Sequence, residues 1–167
     1  MGAAGLEIER KFLIKLPPEA LLEACRDCSV ISQTYLEKGP GGESARVRKR
    51  AWLDRTVYTH TVKKRISAVS REETEREISE SEYLECLRSA DRTRRTIEKK
   101  RYCLEYMGQL LEIDVFPFWP DTAFLEIELE SENQGLFFPP ELEIIRELTD
   151  DRRFTNSAIA RSIPPLC

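Results

Sequence analysis

Glu7, Glu9 and Lys11 share one parity of the segment Leu6-Glu7-Ile8-Glu9-Arg10-Lys11-Phe12-Leu13-Ile14, and Ile8 and Phe12 share the other. On a strand, alternate side chains point to opposite faces, so the two carboxylates and the ammonium lie together. Such a face is costly to bury and suits a metal ion together with an anion. The pattern recurs with both signs of charge. Arg46-Val47-Arg48 alternates base and apolar, and Thr59, Thr61 and Lys63 share a parity. Leu111-Glu112-Ile113-Asp114-Val115 and Leu125-Glu126-Ile127-Glu128-Leu129-Glu130 alternate acid with aliphatic. Arg71, Glu73, Glu75 and Glu77 share a parity, as do Ile97, Lys99 and Arg101. Ile8, Val47, Val62, Ile113 and Ile127 supply the opposite, hydrophobic face. Either the charged face meets bulk water, or the sheet closes and the charges line a wet interior.

The elements that must carry these residues are mostly strands. The patterning predicts strands at 5–16, about 30–37, 44–52, 56–65, 71–78, 95–105, 109–116 and 123–130. Pro17-Pro18-Glu19 opens a helix expected to run to about Asp27. Gly39-Pro40-Gly41-Gly42 and Met107-Gly108-Gln109 are turns. Ser79 with Glu82 forms a capping box for a helix to about Ala90. Pro139-Pro140 opens a short helix, and Thr155 or Asn156 caps a last one through about Arg161. So many antiparallel strands in so short a chain give an α+β fold built on an eight-stranded antiparallel β-barrel with flanking helices.

At 167 residues the chain suits a single domain over 1–167, with its core at about 5–162. A net charge of -4 argues against general nucleic-acid binding, although 26 Lys and Arg leave room for a local basic site. No apolar run reaches the roughly 20 residues that span a membrane, and no secretion signal stands at the start. The five cysteines follow no framework spacing. Cys25 and Cys28 form a CxxC without the further ligands a zinc site needs. Reduced thiols and a cytoplasmic location fit better.

Glu-Ile-Glu-Arg-Lys at 7–11 matches the ExExK signature of the CYTH, or triphosphate tunnel metalloenzyme, superfamily. Arg46-x-Arg48, Thr61-x-Lys63, Arg71-x-Glu73-x-Glu75, Ile97-x-Lys99-x-Arg101-Tyr102, Glu112-Ile113-Asp114, Glu126-x-Glu128 and Glu147-Leu148-Thr149 through Arg153-Phe154-Thr155-Asn156 follow in the family's order. From residue 6 to about 160 the chain resembles this superfamily, and most of all its bacterial inorganic triphosphatase branch. Leu148 and Phe154 stand where the family often has valine and tyrosine. The resemblance implies an eight-stranded tunnel that binds a linear triphosphate, with basic side chains on the phosphates and acidic ones on one or two divalent ions, Mg2+ or Mn2+. The small-molecule partner is then the triphosphate; neither nucleic acid nor membrane is expected, and a homodimer is compatible with the chain.

The chemistry of the residues agrees. Arg46 and Arg48 offer planar forks for phosphate oxygens. Lys11, Lys63, Lys99 and Arg101 add cations, while Arg71 is divided between phosphate and a salt bridge to Glu73 or Glu75. Hard ions prefer carboxylates, and Glu7, Glu9, Glu126 and Glu128 are the expected ligands. Water is the nucleophile, with Glu73, Glu75, Glu112 and Asp114 as the carboxylates from which its orienting group would come. His60 has apolar-face parity and reads as packing, as do Trp52, Trp119 and Phe116-Pro117-Phe118. The expected activity is metal-dependent hydrolysis of inorganic tripolyphosphate. Thiamine triphosphatase or class IV adenylate cyclase activity on the same fold is the alternative, and a non-catalytic polyphosphate- or nucleotide-binding module is a third.

Overall fold

The computed structural model describes residues 8–65 and 71–166, and of Arg65 and Arg71 the backbone alone. The strands are β1 (Ile8–Lys15), β2 (Asp27–Tyr35), β3 (Ser44–Ala51), β4 (Thr56–Arg65), β5 (Arg71–Ile78), β6 (Ile97–Tyr106), β7 (Gln109–Val115), β8 (Thr122–Leu129) and β9 (Ile144–Glu147). The helices are α1 (Glu19–Glu23), α2 (Glu80–Cys86) and α3 (Asn156–Arg161). The hydrogen-bonded order is β5-β4-β3-β2-β6-β7-β8-β1-β9. The α+β class is as expected, and among the described residues nine strands stand in this order where eight were expected.

The chain forms two compact units, one of Met1–Val30 with Lys99–Arg152 and one of Ile31–Glu98 with Arg153–Cys167. In the first unit β8 lies between β1 and β7, all antiparallel, and β9 adds to the other edge of β1. Phe12, Ile14, Leu111, Ile113, Leu125 and Ile127 form its core on one sheet face, with Leu21 and Leu22 of α1 packed against them. Alternation therefore commits Glu9, Lys11, Glu112, Asp114 and Glu126 to the other face. Met107 and Gly108 both have positive φ (51° and 74°), which gives the β6–β7 hairpin the two-residue turn that matches strand twist.

In the second unit β4 pairs antiparallel with both β3 and β5. Val47, Ile78 and Tyr83 form its core, with Tyr58, Leu36, Cys86 and Leu87 against them. Tyr83 belongs to α2, whose N-terminus carries the expected capping box of Ser79 and Glu82. The regular helix ends at Cys86 and continues as a 3-10 turn to Ser89 instead of reaching Ala90 as an α-helix. Thr155 caps α3 by accepting from the Ala158 amide.

Two further expectations are corrected. α1 stops at Glu23, because residues 27–35 pair as β2 and bury Ser29, Ile31, Gln33 and Tyr35 on one face. Pro139-Pro140 opens a turn, in which the Leu142 amide bonds the Pro139 carbonyl, and no helix follows. The chain forms β9 instead, where the ladder to Phe12, Leu13 and Ile14 outweighs the local signal.

Candidate active site

The charged face of the first unit is an ion network. Lys11 of β1 stands opposite Glu126 of β8 in register, and its Nζ lies 2.9 Å from Oε1. Arg101 of β6 reaches the other oxygen of Glu126 at 2.7 Å, Glu112 at 2.6 Å, and both oxygens of Asp114 at 2.7 and 2.8 Å. Lys99 donates to Asp114 at 2.5 Å. Asp114 is 0% exposed, Lys99 3% and Glu126 7%, so this pairing is made largely out of water.

The protonation tendencies follow from that placement. Burial would raise Asp114, but Lys99 and Arg101 outweigh it and hold the carboxyl below its ordinary range. Burial pulls Lys99 down, and although Asp114 attracts its charge, Arg101 repels it. Both values fall, for different reasons: at Asp114 the charges of Lys99 and Arg101 outweigh burial, and at Lys99 burial outweighs the attraction of Asp114 while Arg101 adds repulsion. Burial also acts against Arg101, yet its bonds to Asp114 and the charges of Asp114, Glu126 and Glu112 raise it. Glu126, disfavoured by burial, is held down by Lys11, Lys99 and Arg101.

Glu9 is the exception. The residue is exposed, yet its carboxyl is crowded enough that desolvation, followed by repulsion from Glu126, pushes it up to about 7 against Lys11 and Arg101. Glu128 faces Glu9 in register and is exposed. Glu7 lies outside the described residues.

The second unit carries its own charged face. Arg46 pairs across from Thr61, and Arg48 from Thr59. Thr61 in turn faces Glu75, and Lys63 faces Glu73. Glu73 accepts from Lys63 at 2.8 Å and lies 3.6 Å from Arg46. Thr61, 1% exposed, donates to Glu75 at 2.6 Å. Arg46 Nε and Thr59 Oγ1 are buried without a hydrogen-bond partner among the described residues. Buried donors of this kind are normally satisfied, and a ligand oxygen would satisfy them. Arg71 is described only as backbone at the start of β5.

Three positioning features lay outside the expected set. Gln33 is fully buried, accepts from Arg48 at 3.2 and 3.0 Å, and donates to the Tyr35 hydroxyl at 2.9 Å. Its signal was a polar residue on the parity of Ile31 and Tyr35. Phe124 lies on the charged face of β8, with Lys11 Nζ 5.2 Å from its ring centroid. Phe116 stands in the same relation to Lys99 at 5.8 Å. Phe116, Phe118, Trp119 and Phe124 pack together, as the packing role read for Phe116, Phe118 and Trp119 requires.

Among the described residues no three His, Cys, Asp or Glu side chains converge as a ready metal cage. A hard divalent ion can keep several waters and take one or two carboxylates together with phosphate oxygens. The crowded Glu9 and Glu126 carboxyls are hard donors of that kind.

The CYTH domain profile matches residues 5–163. An inorganic triphosphatase of Nitrosomonas europaea is 36% identical over 160 residues, which is 95% of this chain and 99% of that protein. A solved inorganic triphosphatase structure has a TM-score of 0.66 at 30% identity, covering 98% of this chain and 100% of the other. A conserved hypothetical protein of Pyrococcus furiosus shares the fold alone, with a TM-score of 0.50 at 21% identity over 77% of this chain and 81% of that one. A family profile matched across nearly the whole length, together with a relative similar over almost all of both chains, establishes that this chain belongs to the CYTH-domain family.

Proposed function

We propose that this protein hydrolyses inorganic tripolyphosphate with a divalent metal, Mg2+ or Mn2+, in the cytoplasm. CYTH membership implies a divalent ion. The observation that carries the reading is the interleaving of acids and bases on buried sheet face: a plain anion binder has no use for Glu126, Glu112 and Asp114 beside Lys11, Lys99 and Arg101.

In this reading Glu9 and Glu126 hold the metal, with Glu7 and Glu128 as the further carboxylates of the two strands. When bound, the ion neutralises phosphate oxygens as charge develops on the leaving phosphate. Arg46 and Arg48 grip phosphate oxygens as forks, and Gln33 keeps Arg48 in place from behind. Lys63, Lys11, Lys99 and Arg101 supply the remaining positive charge, and Arg71 is retained as a phosphate contact. Asp114, sealed under Lys99 and Arg101, holds those two cations. That leaves Glu73, Glu75 and Glu112 as the carboxylates that orient the attacking water and take up its proton.

Phosphate release from tripolyphosphate, thiamine triphosphate, ATP and pyrophosphate, with Mg2+ or Mn2+ and with EDTA, tests the reading. Tripolyphosphate should be turned over well above the others, and EDTA should stop the reaction. Equal kcat/KM for pyrophosphate, or activity surviving EDTA, overturns it. Preference for thiamine triphosphate or ATP would move the enzyme to a different branch of the family.

A further inference from the structure

Glu126 has both carboxylate oxygens engaged: Oε1 by Lys11 and Oε2 by Arg101. Arg101 at the same time spans Glu112 and Asp114, and Lys99 completes Asp114. Among the described residues Lys11, Lys99 and Arg101 are thus paired with Glu112, Asp114 and Glu126, and Glu9 stands beside them. A divalent ion arriving alone would have to displace Lys11 or Arg101 from Glu126. Displacement would cost Lys11 the carboxylate it bonds, or Arg101 one of its three, in a poorly solvated place, and that loss is costly. A polyphosphate arriving with the ion removes that penalty, because the released ammonium and guanidinium bond phosphate oxygens instead.

We propose, resting on the triphosphatase reading above, that Lys11 and Arg101 are exchangeable counter-ions. They occupy the metal-binding carboxylate Glu126 until a polyphosphate draws them away, so metal and polyphosphate bind with strong mutual dependence. The exchange needs only side-chain movement across neighbouring strands: Lys11 is already opposite Glu126, and Arg101 bridges three strands. By linkage, the factor by which polyphosphate tightens the metal is the factor by which the metal tightens polyphosphate.

Mn2+ binding read by its electron paramagnetic resonance signal tests this without turnover. On the full chain without substrate, Lys11→Gln should bind Mn2+ at least about fivefold more tightly than wild type, the lower end of ordinary coupling factors. It should also bind metal-free pyrophosphate more weakly. A merely structural lysine would leave the Mn2+ affinity where it was, and unchanged or weaker Mn2+ binding in Lys11→Gln overturns the proposal. Wild-type protein provides a second test that needs no variant. Its Mn2+ affinity should rise at least about fivefold with an imido-bridged, non-hydrolysable triphosphate, after correction for metal bound by the free analogue; an unchanged affinity overturns the proposal. Coupling in a chain that fails to hydrolyse tripolyphosphate would refute the function and keep the exchange. An active enzyme without coupling would do the reverse.

Discussion

Asp114→Asn keeps the shape of the side chain and removes the charge that holds Lys99 and Arg101. The wild-type carboxylate accepts two bonds from Arg101 and one from Lys99, and it is 0% exposed. The amide would turn an NH2 group toward donors and leave a lysine that is 3% exposed without its anion. Removing one partner of a buried ion pair costs about 3–5 kcal/mol. For a chain of this size each kcal/mol lowers Tm by about 2–4 °C, so the expected drop is about 6–20 °C. Urea unfolding and thermal melts measure both. Lys99→Met in the Asp114→Asn background removes the stranded cation, so the double variant should be more stable than the sum of the singles predicts. The pH dependence has a definite sign. Burial already depresses Lys99, and losing Asp114 depresses it further. Between that lowered value and 10.5 the unfolded chain holds a proton that the folded one has released, so stability rises with pH. The variant should therefore regain stability as pH is raised through this window, more than wild type does. A stability change below about 1 kcal/mol accompanied by a large fall in kcat would refute the positioning role and make Asp114 a water-orienting group.

Glu126→Gln removes half of the proposed carboxylate pair and should lower kcat by at least about 100-fold, in line with deletion of electrostatic groups elsewhere; a near wild-type rate with unchanged metal dependence would take Glu126 out of the site. Arg48→Ala deletes a fork worth about 1.5–3 kcal/mol and should lower kcat/KM by roughly 10- to 150-fold. Arg48→Lys should recover only part of that, because a point charge cannot bond two oxygens as a fork, whereas full activity of Arg48→Ala would place its side chain away from substrate.

Strand identity and charged-face parity were legible because period-two alternation is a local property of the chain. Lys11, Glu112, Asp114, Glu126, Arg46 and Thr61 follow it directly, and the register then brings Lys11 to Glu126 and Thr61 to Glu75. What alternation could not reveal was which like-facing groups become partners. Asp114 and Glu112 have the same parity and the same chemistry in the sequence. One is sealed beneath Lys99 and Arg101 while the other is half-buried, a difference set by neighbouring strands. β9 was missed because a four-residue edge strand has too short a pattern to announce itself, and its pairing partners lie about 130 residues earlier. α1 was overextended because Arg26 and Asp27 are acceptable in a helix, while the pairing that claims Asp27 is non-local. Leu148 and Phe154, the two departures from the family pattern, are both buried, 2% and 0% exposed, so each substitution is apolar packing.

The ion network is a poor way to stabilise a sheet. Well-packed apolar residues of similar volume often hold a buried position as well as an ion pair, or better, because they carry no desolvation cost. The opposite face of the same strands shows that solution, with Leu111, Ile113, Leu125 and Ile127 all at 0% exposed. The charged face is nevertheless supported by further apolar material: Phe124 beside Lys11 and Phe116 beside Lys99 exclude water and strengthen every charge nearby. Strengthening matters little for a fold that could have used leucine. It matters for the proposed site, in which these cations would meet a polyanion. One carboxyl, Glu9, falls outside the neutral balance and is pushed toward protonation, where a cation would relieve it. On the exchange proposed above, these cations and anions neutralise one another until metal and phosphate arrive together to replace each partner.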